Sequence, residues 1–436
     1  MPPLLTRPFH TFVEIQLPQF RRRLLPIIAV GVAGGLAGLA YLSALQLAEH
    51  WLGPQRWAMW PHLAVMAVVG LLVGLLTRYV GNPGDVELLV NNIHVLGGQR
   101  NLRELRSLVP VSLLCIGAGG AMGPEAPLVQ TTGALGSWLA NRLGMVVHDK
   151  RVLTITGMAA GFTVLFGAPL GAAVFALEIL HRRGLQYYEA LLPAVIGSLC
   201  GYVVFVVAWG LGLAPVWQFP DAPALRSIDL AWALAAGAAG AAVAVLFTYF
   251  NLLLRRMQTR VPGMVRPIVG GVILGLLAFW SPYALTFGEA QINDLLSHPM
   301  LAPALLTAAA AKFIGTSVTL STGWRGGFII PLFFVGAALG GWADKLWPAM
   351  NSVVVIAALM VAINTGVTKT PLGSTLVVTE MAGLHLLPTT LLAAVVALLL
   401  TSEVGLIHSQ RERDPLPSLP TVEANAVDDR TGGHPD

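Results

Sequence analysis

The chain carries two copies of one sequence pattern, and this repetition restricts its fold more than any other feature. Residues 127–138 and 331–342 both read Pro-Leu, then Ala-Leu-Gly, then Trp at identical internal spacing, 204 residues apart. Residues 169–178 and 371–380 both read Pro-Leu-Gly with a Glu seven positions after the glycine, 202 residues apart. Two matched blocks in the same order and at nearly the same offset predict two structurally equivalent halves.

Composition places both halves in a membrane. The chain is 55% hydrophobic and only 11% charged, whereas soluble domains carry about 25% charged residues. A chain this apolar cannot cover its own surface with polar groups, but a bilayer removes that requirement. Repeated halves in a membrane protein are typical of transporters and channels, with the working site where the halves meet near the midplane. We therefore expect an all-α polytopic membrane protein.

The apolar and polar stretches predict the following division of the chain. Residues 1–23, which end in three arginines, form a cytoplasmic N-terminal segment because basic flanks stay inside. The membrane repeats occupy residues 24–216 and 228–409, with a polar linker at 217–227. Residues 410–436 are polar and Pro-rich, which predicts a disordered cytoplasmic tail.

Several classes of protein are disfavoured. Cys115 and Cys200 lie in apolar segments, which argues against a disulfide framework or a cysteine metal site. The chain has no His-Glu-x-x-His pair, Gly-x-Ser-x-Gly elbow or phosphate-binding loop. We expect no enzyme activity, no metal, no cofactor and no nucleic-acid partner.

Two other functions stay open as alternatives. An intramembrane hydrolase would need a nucleophile beside a buried base. A cation transporter would need paired acids facing carbonyl ends of helices.

Two glycine-rich segments lead into apolar helices and predict the site. Residues 117–123 precede Pro124 and a helix from about Glu125 to Leu143, and residues 321–327 precede the equivalent helix of the second half. Helix N-termini bind anions through exposed N–H groups without a full positive charge. Segments 107–115 and 370–381 are too short to span a bilayer, which favours broken helices around a midplane anion site.

Glu125 stands at the first of these helix starts. A carboxylate there can occupy the place of the anion, and its protonation would release it, so we predict that Glu125 is the gate and a proton acceptor. The alternative is an ordinary first-turn acid that stabilises its own helix.

Three segments of the sequence resemble those of a known family. Residues 123–127 (Gly-Pro-Glu-Ala-Pro), 327–331 (Gly-Phe-Ile-Ile-Pro) and the long motif over 159–178 are similar to those of CLC chloride channels and proton/chloride exchangers. The resemblance covers roughly residues 25 to 410. It implies a homodimer whose subunits are inverted repeats with separate pores, in a bacterial-type plasma membrane with both termini cytoplasmic and no CBS regulatory domains.

The resemblance also implies an anion-binding set. It comprises Pro83, Gly84, Ala126, Gly327, Phe328, Ile329 and His408. Pro83 stands where the family has a serine that touches the anion, and His408 corresponds best to the pore tyrosine. The family usually has Arg and Gly on either side of its gating glutamate, and here they are Pro124 and Ala126.

The exchangers' internal proton-transfer glutamate corresponds to Ile179. Its absence predicts a passive channel or a weakly coupled exchanger of chloride, with nitrate as a second substrate. A strictly proton-coupled exchanger would need a substitute route, for which His181 is the nearby candidate, although we interpret it as a loop histidine at a cytoplasmic edge. Lys369 and Glu380 lie in apolar surroundings, where we expect them to pair or to reach an interface.

Overall fold

The computed structural model describes residues 7–81, 83, 90, 93, 105–182, 184–210, 215–221, 223–407 and 409–410, with backbone only for residues 7–22 and 209. Within that part the chain forms fifteen α-helices and no β-strand. They are α1 (Arg7–Leu52), α2 (Met59–Tyr79), α3 (Leu105–Gly117), α4 (Glu125–Arg142), α5 (Val147–Phe166), α6 (Pro169–Glu178), α7 (Leu191–Trp209), α8 (Ser227–Gln258), α9 (Arg266–Trp280), α10 (Glu289–Ser297), α11 (Ala302–Ser321), α12 (Ile329–Leu346), α13 (Ser352–Thr368), α14 (Pro371–Ala382) and α15 (Leu387–Leu400).

The predicted repeat is present in these helices. Helices α4 and α12 are both 18 residues long and begin 204 residues apart. Helices α6 and α14 both begin at the proline of a Pro-Leu-Gly sequence. Short 3₁₀ turns, Tyr188–Ala190 and Leu384–Leu386, come directly before α7 and α15. The two short segments predicted to be broken helices are α3, with 13 residues, and α14, with 12.

The contacts between α6 and α14 show that the halves are inverted. Glu178, at the end of α6, accepts hydrogen bonds from Leu372 N–H (3.2 Å) and Gly373 N–H (2.7 Å) at the start of α14. Glu380, near the end of α14, accepts from the N–H groups of Leu170 and Gly171 at the start of α6. Each helix therefore begins where its equivalent ends, so the two run antiparallel.

Helices α2 and α9, one from each half, also pack antiparallel to each other. A Cβ at Gly70 would lie 2.3 Å from Pro267 O, and a Cβ at Gly271 would lie 2.2 Å from Met66 O. Glycine is therefore required at both points, because the partner backbone occupies the space of a side chain. Small residues at such crossings allow the close helix contact that membrane bundles use in place of hydrophobic burial.

Among the described residues, six helical segments are long and apolar enough to cross a membrane: Arg23–Leu52, Met59–Tyr79, Tyr188–Ala208, Ser227–Gln258, Ala302–Ser321 and Ile329–Leu346. The first span is continuous with residues 7–22, since α1 already begins at Arg7. The segment predicted to link the halves lies between α7 and α8, and its Trp217 is buried against Phe333, with ring centroids 5.2 Å apart. The division into domains stays a prediction, and residues 411–436 lie outside the described part.

A candidate anion site between the two repeats

Two helix starts face each other at the centre of the molecule. Helix α4 begins at Glu125 directly after Pro124, and helix α12 begins at Ile329 directly after Phe328. Neither of the residues before these helices caps the helix with its side chain. The first N–H groups of both helices are therefore available to a group outside their own helix.

The segments before the two helices are joined through their backbones. Gly123 N–H donates to Gly327 O (2.8 Å), and Gly327 N–H donates to Gly123 O (2.6 Å). These two residues are equivalent in the repeats, since they are 204 positions apart. Their antiparallel bridge fixes the two helix starts next to each other.

Glu125 crosses from one repeat to the other. Its side chain is 1% exposed, and its Oε1 accepts a hydrogen bond of 2.5 Å from Ile330 N–H at the start of α12. Its Oε2 has no hydrogen-bond partner among the described residues. A Cβ on either Gly123 or Gly327 would lie 2.1 Å from Oε2, so the two bridged glycines provide the space that this oxygen occupies.

A small cavity lies beside this carboxylate. It is lined by Val90, Glu125, Ala126, Val129, Met158, Phe162, Ile179, Gly327, Phe328 and Ile329. The structure thus brings together five of the predicted site residues in one place: Glu125, Ala126, Gly327, Phe328 and Ile329. Pro83 is buried but does not line this cavity. Gly84 and His408 lie outside the described residues.

The rest of the cavity wall is apolar, and of its residues the sequence analysis singled out Ile179 alone. Val90, Val129 and Met158 gave no sequence signal, because an apolar residue in an apolar chain is unremarkable by composition. Phe162 stands in the motif over 159–178, where its type could have been noticed. Helix termini and the Glu125 carboxylate thus provide the polar part of the site, and the other side chains form an apolar wall.

Ile179 lines the cavity, whereas His181 does not. His181 lies in the turn after α6 and is fully buried rather than exposed at an edge. Its Nδ1 is hydrogen-bonded to Leu177 O (3.1 Å), and its ring centroid lies 4.8 Å from that of Tyr187, with the two rings tilted by 53°. The loop position expected for His181 is therefore present, but the side chain is packed inside the protein.

Lys369 neither pairs with Glu380 nor reaches an interface, since its side chain is buried, so both arrangements expected for Lys369 are wrong. The Lys369 ammonium donates to Gly366 O (2.6 Å) and Thr401 O (2.6 Å), so it caps the carbonyl ends of α13 and α15. Glu380 instead holds the start of α6, as described above. Both residues are placed where a helix end stabilises their charge, with the acid at a helix start and the base at helix ends.

Comparison with known proteins identifies the family. Residues 84–402 match the sequence profile of the family described as Voltage gated chloride channel. The chain belongs to this family, the CLC family. It is 28% identical over 427 residues to a chloride/fluoride channel protein of Pseudomonas syringae pv. tomato, covering 91% of this chain and 90% of the relative. It is 26% identical over 420 residues to an H(+)/Cl(-) exchange transporter of Klebsiella pneumoniae, covering 85% and 86%.

Solved structures show the same fold. The CLC chain superposes on a slow cyanobacterial Cl−/H+ antiporter with a TM-score of 0.77, 18% identity, and coverage of 88% of this chain and 94% of that one. It superposes on a CLC-type fluoride/proton antiporter with a TM-score of 0.74, 23% identity, and coverage of 89% and 97%. The predicted fold, an all-α membrane protein with a CLC-like inverted repeat, is confirmed. The chain is a multi-pass membrane transport protein of the CLC family, not an enzyme.

Proposed function

We propose that this CLC protein moves small inorganic anions through the cavity between α4 and α12 and that Glu125 is its gate. One observation carries the proposal: the Glu125 carboxylate of the first repeat accepts the Ile330 N–H of the second. A carboxylate held by a helix-start N–H occupies the type of site that would hold a small anion. Glu125 is thus the residue that competes with the transported ion.

Protonation is the step that would open this gate. While Glu125 is ionised, its charge and its hydrogen bond keep it at the start of α12, where it excludes a second negative charge. A proton on Oε2, the oxygen without a described partner, removes the charge and weakens the hold of the helix start. The anion then takes the place of the carboxylate, with the N–H groups of Phe328, Ile329 and Ile330 as donors.

The coupling of anion to proton movement depends on the other end of the cavity. Ile179, where the exchangers have an acid, lines the cavity and cannot carry a proton. We therefore propose a passive channel or a weakly coupled exchanger. The relatives include proteins of both kinds, one named a chloride/fluoride channel and one an exchange transporter. A strictly coupled exchanger is the alternative, and its proton route would have to pass beside the buried His181.

Chloride and nitrate are the proposed substrates. Fluoride belongs in the same assays, because one relative is named a chloride/fluoride channel protein and one structural neighbour is a fluoride/proton antiporter. Pro83, Gly84 and His408 complete the proposed pore lining. We further propose a homodimer in a bacterial inner membrane with both termini in the cytoplasm.

The test is anion uptake by purified protein in liposomes, measured from pH 4 to pH 8, for wild type and Glu125→Gln. The amide keeps the size of the side chain but cannot ionise, so most of the pH dependence of uptake should disappear. Glu178→Gln is the matched control, because Glu178 is also a buried glutamate that accepts helix-start N–H groups but does not line the cavity. Unchanged pH dependence in Glu125→Gln would show that Glu125 is only a first-turn helix acid.

A further inference from the structure

Lys312 is a buried cation that the proposed gate does not use. It lies in α11, and its side chain is fully buried. Its Nζ donates to Leu285 O (2.6 Å) and Thr286 O (2.8 Å) and lies 5.0 Å from the centroid of the Phe334 ring. Among the described residues no carboxylate forms an ion pair with it.

These surroundings fit an ammonium ion. Carbonyl oxygens accept hydrogen bonds and cannot donate to the lone pair of a neutral amine. The face of an aromatic ring is electron-rich and attracts a cation. Complete burial disfavours the charged form of an amine, whereas all three contacts of Nζ favour it, and no described carboxylate forms an ion pair with it.

The loop that Lys312 holds is in contact with the segment before the gate. Thr286 N–H donates to Gly119 O (2.8 Å), within the glycine-rich segment that leads to Glu125. Thr286 has φ of +60°, a left-handed conformation that is strained for a threonine and persists only where the surroundings impose it. The two hydrogen bonds from Lys312 to this loop are such an imposed restraint.

Helix α11 touches the same segment directly. Gly315 is one turn after Lys312, and a Cβ there would lie 2.5 Å from Ala284 O and 3.3 Å from Ala121 Cβ. This stretch of α11 therefore packs against both the loop and the glycine-rich segment before Glu125. The contact with that segment is at Ala121, two residues before Gly123.

The third contact of Lys312 leads to the other helix start. Phe334 is one turn after Ile330 on α12, and Ile330 is the residue whose N–H holds Glu125. The ammonium is thus connected to both elements that form the proposed anion site. It reaches the segment before α4 through the loop at 285–286 and the first turns of α12 through Phe334.

We propose that Lys312 is a positioning residue for anion transport that also raises the affinity for anions. Its hydrogen bonds hold the loop at 285–286 against the segment before the gate. Its charge supplies the full positive charge that the helix starts lack, and this raises the affinity of the adjacent site for anions. The inference rests on the proposed function, since it assumes that anions occupy the cavity beside α12.

The experiment measures initial chloride uptake against chloride concentration in liposomes, at one fixed pH, for wild type and three variants. Lys312→Met removes the charge and the donors, Lys312→Gln removes the charge but keeps N–H donors for the loop, and Lys312→Arg keeps the charge. An uncompensated charge in a poorly solvated site changes anion affinity by about tenfold. We expect KM to rise about tenfold in Lys312→Met and Lys312→Gln, with a much smaller rise in Lys312→Arg.

Lys369→Met is the matched control, because Lys369 is also a buried lysine that donates to backbone carbonyls but does not contact α12 through an aromatic ring. It should lower the unfolding temperature in detergent and leave KM within about twofold. A wild-type KM in Lys312→Gln would overturn the role of the charge. Equal changes in KM for Lys312→Met and Lys369→Met would overturn any specific role of Lys312. If Lys312→Met does not fold, Lys312→Gln and Lys312→Arg decide the question alone.

Failure of the gate and failure of this inference are distinguishable. The gate is tested by the pH profile of Glu125→Gln, whereas Lys312 is tested by KM at one pH. If uptake by Glu125→Gln keeps its pH dependence, the proposed role of Glu125 as the gate is wrong. The rise of KM in Lys312→Gln then still reports whether the charge acts on anions.

Discussion

Gly123 and Gly327, equivalent residues of the two repeats, donate a hydrogen bond to each other's carbonyl at 2.8 and 2.6 Å. The axis that relates the inverted halves therefore passes between them, beside the Glu125 carboxylate. The lack of a side chain on both residues leaves the space in which Oε2 lies. The symmetry of the fold and the position of the proposed gate thus depend on the same pair of residues.

We expect Gly327→Ala to displace the gate. The added methyl would lie 2.1 Å from Oε2, a distance at which one of the two groups must move. The carboxylate is the mobile group, because the glycine backbone is held by the bridge. Uptake at high pH should rise relative to uptake at low pH, and the pH dependence should become at least severalfold weaker in liposomes. Gly263→Ala is the control, since a Cβ there meets nothing within 4 Å; a wild-type pH profile for Gly327→Ala would contradict the position assigned to the carboxylate.

The exchanged helix caps of Glu178 and Glu380 should contribute strongly to stability. Each carboxylate accepts two N–H groups at the start of the other repeat's helix, and truncation would leave those donors unpaired in a buried interface. We expect Glu178→Ala or Glu380→Ala to lower the free energy of unfolding by about 1–3 kcal/mol each. Thermal unfolding in detergent micelles measures this, and a loss of less than a few tenths for both variants would show that the caps are replaced by water.

Much of this arrangement follows from the sequence, because spacing along the chain survives folding. The matched blocks predicted two equivalent halves, and the helix expected from about Glu125 to Leu143 ends at Arg142. The matched Pro-Leu-Gly blocks also placed Glu178 and Glu380 at equivalent positions, and both cap a helix start of the other repeat.

Contacts between distant segments could not be predicted. The spacing does not predict that Glu125 accepts a hydrogen bond from Ile330 of the other repeat, because that contact depends on how closely the halves approach. The expected Lys369–Glu380 pair is wrong for the same reason: the two charges are close in the sequence, but each faces a different helix end. The burial of His181 could not be predicted from the sequence either, because it depends on the conformation of the turn after α6.

Replacement of Ile179 by an acid should create proton coupling. Ile179 lines the cavity beside Glu125, so Ile179→Glu would place a second proton carrier on the same path. We expect the wild type to move few protons under a chloride gradient and Ile179→Glu to move clearly more. Ile179→Gln controls for polarity without a titrating group. Proton movement with a tight, fixed anion-to-proton ratio in the wild type would contradict the proposal and favour a route beside His181.

Glu289 should add a weaker pH dependence of its own. It begins α10, outside the six candidate spans, and burial, reinforced by the nearby charges of Glu49 and Glu125, raises the pKa of Glu289 to about 7. A raised carboxyl pKa means that Glu289 is neutral below pH 7 and negative above it, so anion entry should fall as the pH rises through 7. In a Glu125→Gln background, where the gate no longer titrates, we expect a residual change of about two- to threefold that Glu125→Gln/Glu289→Gln abolishes. Identical pH profiles for the single and the double variant would exclude Glu289.

The selectivity prediction concerns Pro83, which is buried and stands where the family has a serine. Proline has neither a side-chain donor nor a backbone N–H, so the proposed central site loses a donor. Chloride is compact and needs close donors to replace its lost water, whereas nitrate is larger and less strongly hydrated. Proline at this place also resembles the nitrate-preferring plant branch of the family, although the Asp85-Val86 that follows differs from it. We expect nitrate to be transported at least as well as chloride and Pro83→Ser to shift the preference toward chloride.

His408, if it reaches the pore, would supply a donor instead and restore chloride preference at low pH. Relative uptake of the two ions by wild type, Pro83→Ser and Pro83→Ala decides between these outcomes, because alanine restores the N–H without the hydroxyl. A strong chloride preference in the wild type that neither substitution alters would place Pro83 away from the ion.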